Sequence, residues 1–202
     1  QSLSQNDIQV IDGVGQPQNK IRYWNPDLFD SGDSKVRLFK LHGSVNWFRF
    51  RPDGGSWSDE SIGIPLDRDF RHTKSPQGQM QQPVDKRPML LVGTFNKILQ
   101  YTSDIYADLH YQLYRSLRHV QQLVVCGYSF GDKGINTRII EWIYCSSNRK
   151  ITVVHPEPEK LKRSARGAIS KQWDEWIKQR KLIILTKTIE ESSWQNIKDS
   201  LF

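Results

Sequence analysis

Two cysteines in 202 residues, Cys126 and Cys145, leave no basis for a disulfide framework. Cys126 falls in an apolar strand-like run and Cys145 in a helix-like one, so both are expected as buried thiols of a reducing compartment, with the cytoplasm as the default. No Cys-x-x-Cys pair occurs, and His72, His110 and His119 lack ligand spacing, so no metal is assigned. Long apolar runs are missing as well. Leu123 to Cys126 and Leu182 to Leu185 are strand-sized, far below the roughly 20 residues that cross a bilayer, so no membrane partner is expected. The opening QSLSQNDIQV has neither a basic flank nor an apolar core, so no signal or transit segment is expected, and a first residue other than Met suggests a fragment. There is no internal repeat.

What is present describes a folded chain. Hydrophobic residues make up 37% and aromatic residues 11%, against 25% charged, which is enough to bury a core and excludes wholesale disorder. Lys plus Arg is 29 and Asp plus Glu 22, and the resulting +7 favours anionic partners without choosing among them.

Residues 1–34 are polar and punctuated by Gly13, Gly15, Pro17, Pro26 and Gly32, and read as irregular structure or short strands leading into a domain over 35–202. Lys35 to Leu41 suits a strand ending at His42-Gly43-Ser44. Residues 51–87 turn to Gly, Pro, Ser, Gln and charge, the composition of a surface excursion or polar insert. After Pro88, the run MLLVG reads as a buried strand. Ile98, Ile105, Leu109, Leu113 and Leu117 mark an amphipathic helix over 96–118. Strands over 123–127, 150–154 and 182–185 then alternate with helices over about 133–143, over 158–177 (Leu161, Ala165, Ile169, Trp173 and Ile177 on one face) and from Trp194 to Leu201. That alternation predicts an α/β fold with a mainly parallel sheet and flanking helices. Ligands of such sheets sit at the carboxyl ends of the strands, which directs attention to His42, Gly93, Gly127 and His155.

Two constellations carry chemistry. In Lys40-Leu41-His42-Gly43-Ser44, a proton-exchanging imidazole stands beside a glycine that permits close approach, although a histidine bonding across a turn has the same letters. In Gly127-Tyr128-Ser129-Phe130-Gly131-Asp132, small residues between strand and helix leave backbone amides and the helix amino end to phosphate or ribose oxygens, or form a tight turn capped by Asp132. The second also spells the Gly-x-Ser-x-Gly elbow of serine hydrolases, but Asp132 and Glu141 are poorly placed to orient His155, the sole histidine downstream of Ser129.

Together, KLHGSVNW and LVVCGYSFGDKGIN resemble the sirtuin-like domain family found in many bacterial proteins, including NAD-consuming antiphage defence proteins. The resemblance covers roughly residues 36–156 and extends to MLLVGTFNK before the long helix. It implies a Rossmann-like domain and an NAD glycohydrolase that cleaves the nicotinamide–ribose bond. His42 then resembles the catalytic histidine at the nicotinamide ribose. Gly127 and Ser129 resemble the Gly and Ser of the turn that contacts adenosine ribose and phosphates, with Tyr128 in place of a Thr. Asp132 and Asn136 fit the bacterial form of that motif, and His155 stands where an Asn meets the adenosine ribose.

The sequence departs from the family twice. Without Cys-x-x-Cys pairs the zinc of the protein deacetylases is not expected, which moves the expected reaction from deacetylation to NAD hydrolysis. No Gly-rich loop between a strand and a helix precedes His42, so the resemblance implies the carboxyl-terminal part of an incomplete domain, inactive alone and completed by the remainder of a parent chain. A homo-oligomer and a phage or regulatory protein are further implied partners. The alternative is a non-catalytic module that senses NAD or ADP-ribose. Nucleic acid is not expected as a direct ligand. Lys160, Lys162, Arg163 and Arg166 read as a solvated helix face, and Trp173, Trp176 and Trp194 as core.

Overall fold

The computed structural model describes residues 9–31, 36–68, 70–85, 87–91 and 101–201. They form a mixed α/β protein that divides into two compact units, Gln1–Leu113 and Tyr114–Phe202.

The first unit carries β1 (Val10–Ile11), β2 (Val14–Gln18), β3 (Ile21–Trp24), β4 (Val36–Arg37), β5 (Phe48–Pro52), β6 (Ser61–Pro65), β7 (Thr73–Lys74) and β8 (Met80–Pro83). β1 and β4 pair parallel, and the other six form an antiparallel sheet in the order β2-β3-β6-β5-β8-β7. Asn19 and Lys20 link β2 to β3 with both φ positive, at 49° and 67°, the two-residue turn whose twist matches a hairpin.

This sheet corrects the expected mainly parallel architecture. In the first half of the chain most strands follow one another through short connections, which suit antiparallel neighbours, and among the described residues only short 3-10 turns, no α-helix, lie between β1 and β8. The polar stretch expected as a surface excursion carries strands. Residues 51–87 supply the end of β5 and all of β6, β7 and β8; most of their described polar residues are exposed, and Ser75 and Gln81 are buried. Gln81 is 1% exposed, with its amide donating to the Tyr23 hydroxyl at 2.6 Å and the Thr73 hydroxyl at 3.2 Å. The Gln81 side-chain oxygen is buried without a partner among the described residues, and composition alone does not tell strands of this make-up from a loop.

Helix α1 (Asp104–His119) begins later than the expected Asn96, and Ile98 lies outside the described residues. Its Ile105, Tyr106 and Leu109 join Val14, Trp47, Ile64, Leu91 and Tyr101 in the core of the first unit. The strand expected over 35–41 is shorter: only Val36 and Arg37 pair, and Leu41 and His42 form a turn. The MLLVG run shows a single bridge, Leu90 to Gly43, while Val92 and Gly93 lie outside the described residues.

The second unit follows the expected alternation. It contains β9 (Gln122–Cys126), α2 (Lys133–Tyr144), β10 (Lys150–Val154), α3 (Pro158–Ser164), α4 (Ala168–Lys178), β11 (Leu182–Leu185) and α5 (Trp194–Leu201). The three strands are parallel in the order β11-β10-β9, with Val124, Thr152 and Ile183 in register. Residues 151–154 of the central strand are all buried, the pattern of a strand covered on both faces.

One helix was expected over 158–177 and two are present. The chain breaks at Ala165 to Gly167, where Gly167 takes φ +61° and leaves the helical region. The second helix therefore buries Ile169, Trp173 and Trp176 and leaves Ile177 exposed. Trp194 is also exposed, while Ile197 carries the packing of α5. Both cysteines are free and exposed, which corrects the buried thiols: Cys126 ends β9 beyond the buried Val125, and Cys145 lies just past the buried face of α2.

Among the described residues no helix is long and apolar enough to cross a membrane, and no group of three potential metal ligands occurs.

Candidate functional site

His42 occupies a turn of the first unit that is tied to the segment after β8. Its carbonyl accepts the Leu91 N–H at 2.9 Å, and the Ser44 N–H donates to the Met89 carbonyl at 3.0 Å. Gly43, at φ +81°, is needed for both conformation and space, because a Cβ there would collide with the Met89 carbonyl and lie 3.1 Å from the Tyr106 hydroxyl. The close approach that this glycine permits is therefore between two backbone segments.

The half-buried imidazole is oriented by a residue that motif reading misses. His42 Nε2 shares a hydrogen bond of 3.1 Å with the hydroxyl of Tyr101, and the two rings are nearly parallel at 6°, with centroids 6.1 Å apart. Tyr101 is buried and in turn stacks on His110 at 3.9 Å. A histidine held this way keeps one ring orientation and has a hydroxyl neighbour able to donate or accept a proton. The pairing spans 59 residues, so nothing local in the sequence announces it.

The second constellation forms the junction between β9 and α2, as expected. Gly127 takes φ +67° with open space where a Cβ would stand, so conformation alone requires glycine here. Ser129 is exposed, while the residues on either side brace the turn. The Tyr128 hydroxyl donates toward Asn136 Oδ1 at 2.8 Å and the Asp132 carbonyl at 3.1 Å. Asn136, buried, donates its amide to the Phe130 carbonyl at 2.8 Å. Phe130 holds the unusual φ of +53° and is buried edge-on against Trp173, with centroids 5.9 Å apart. Burial pushes the Tyr128 hydroxyl well above its ordinary pKa, and the Asp132 carboxylate adds to the rise.

Asp132 caps α2 by accepting the Gly134 and Ile135 N–H groups at 2.9 and 3.1 Å. The helix amino end, expected to be open to phosphate, is thereby occupied by a carboxylate. Tyr128 and Asn136 serve the turn's own structure.

His155 directly follows β10, and its Nδ1 accepts the Glu157 N–H at 2.9 Å just before α3. In its neutral form the ring then carries its proton on Nε2. Ser129 makes no hydrogen bond to a histidine among the described residues, so the elbow reading has no partner. Two members of the basic cluster are paired, Lys160 with Glu157 at 3.1 Å and Lys162 with Asp174 at 2.8 Å, as a solvated face would be.

In comparison with known proteins, no family model matches this chain and no curated protein matches it.

Proposed function

We propose that this chain is part of a sirtuin-like NAD glycohydrolase of antiphage defence, with a Rossmann-like parallel sheet, acting in the cytoplasm by depleting NAD. The observation that carries the reading is the braced turn Gly127–Asp132. It presents an exposed serine and an open glycine at the carboxyl end of a parallel strand, where sheets of this kind bind nucleotides. Gly127 and Ser129 would meet a ribose of NAD, and Asp132, besides capping the helix, would accept a ribose hydroxyl. His155 Nε2–H is a donor available to the same ligand.

The nicotinamide–ribose bond breaks through an oxocarbenium-like state, and the bond to the incoming water forms at the carbon that nicotinamide leaves. His42 takes the proton from the ribose hydroxyl or from that water, and Tyr101 holds its ring in place. No zinc takes part. The reading includes a longer parent chain that supplies the glycine-rich loop, and a homo-oligomer or a phage or regulatory protein that switches the enzyme on. Thus the 202-residue chain alone is expected to be inactive.

A second reading, a module that senses NAD or ADP-ribose without consuming it, is favoured by one observation. His42 lies in a turn five residues beyond the two-residue strand β4, not directly at the end of a strand of the three-stranded parallel sheet. Nicotinamide release from NAD separates the two, measured for the parent chain, its His42→Ala variant and the 202-residue chain. Release by the parent, lost by at least about a hundredfold in the variant, supports the enzyme. Binding without release supports the sensor, and neither binding nor release removes both readings.

A further inference from the structure

A cavity of about 430 Å³ lies in the second unit, between the last turn of α1 and the carboxyl-terminal half of α2. It is at the amino ends of β9 and β10, whereas the Gly127 turn follows the carboxyl end of β9. Three guanidinium groups converge on it. Arg118 and Arg138 both lie over the ring of Tyr114, at 5.8 and 5.4 Å, and Arg149 lies over Trp142 at 5.5 Å. Of the lining residues Glu141 carries the single carboxylate, and it is paired with Arg138 at 2.8 Å.

Not all of this charge has a structural use. Arg149 does: it donates to the Trp142 carbonyl at 2.7 Å and to the Arg118 carbonyl at 3.4 Å, closing the ends of both helices. The Arg118 side chain has no ion pair or hydrogen bond among the described residues. Like charges gathered around one cavity repel, and an anion between them removes that repulsion. A guanidinium lying on an aromatic ring still has its outer plane free to stack and its edge free to donate in a fork that fits phosphate. Leu117 and Trp142 supply an apolar floor.

We infer that this cavity is a binding site for a nucleoside monophosphate. The phosphate sits between the edges of Arg118 and Arg138, and the base stacks on the outer plane of Arg149. Its volume lies within the roughly 300–1,000 Å³ of small-molecule pockets. The proposal concerns the opposite end of the parallel strands from the turn and does not depend on NAD turnover.

The two exposed cysteines provide separate reporters, since Cys145 lines the cavity and Cys126 adjoins Gly127. In a Cys126→Ser chain, maleimide labelling of Cys145 is timed with AMP, adenosine or inorganic phosphate. AMP at ten times its Kd is expected to slow labelling roughly tenfold, with much weaker protection from phosphate and from adenosine. The double variant Arg118→Gln/Arg138→Gln is expected to lose that protection while keeping its thermal midpoint. Absence of protection by AMP, or protection that survives the double variant, overturns the site. Equal protection by phosphate and AMP overturns the nucleoside assignment. In a Cys145→Ser chain, NAD protection of Cys126 reports on the turn, so failure of one reading is distinguishable from failure of the other.

Discussion

At the scale of single residues, both constellations depend on positions whose neighbours are distant in sequence. Gly43 is the sharpest case, because any side chain there meets the Met89 carbonyl while φ stays at +81°. Gly43→Ala is expected to cost about 3 kcal/mol, read as a lower denaturant midpoint at unchanged slope. Tyr128 permits a test by pH. Its folded pKa is raised by burial, so the neutral hydroxyl is favoured in the fold. The associated stability is fully present below about pH 10, the unfolded value, and falls as pH rises above it. Tyr128→Phe should lose about 1 kcal/mol at neutral pH through its bonds to Asn136 and Asp132, yet lose less than the parent between about pH 10 and 11. Thermal unfolding at the two pH values checks both signs.

At the scale of elements, periodicity was a good guide where strands and helices alternate. β9, β10 and β11 stand where the apolar runs predict them, and Asp132 caps α2 as its position predicts. Periodicity failed where a single glycine interrupts it, since the four-residue spacing from Leu161 to Ile177 runs straight across Gly167. The consequence is that Trp176 rather than Ile177 faces the core. Trp173 links the helix to the turn by packing against Phe130. Trp173→Ala is expected to cost about 3–5 kcal/mol in a denaturant titration. It should also weaken NAD protection of Cys126, because Phe130 loses the ring that supports its positive φ.

At the scale of the whole molecule, composition places a net +7 on the chain, while some cations that looked available for nucleic acid are paired. Binding to a labelled DNA duplex, followed by fluorescence anisotropy, is therefore expected to be weak and non-specific. With three or four phosphate contacts it should fall about a hundredfold for a fourfold rise in salt. AMP protection of Cys145 should fall only a few-fold over the same range, since a monophosphate releases few counterions.

Local order along the chain was enough to determine the three parallel strands of the second unit, α2, α5 and the turn after β9, because each is specified by spacings within a dozen residues. Only the tertiary structure decided that the polar stretch 51–87 builds an antiparallel sheet, that Gln81 and Asn136 are buried, and that His42 pairs with Tyr101. These outcomes depend on contacts between residues far apart in sequence, where hydrogen bonding hides polar groups from water and leaves no periodic mark on the chain.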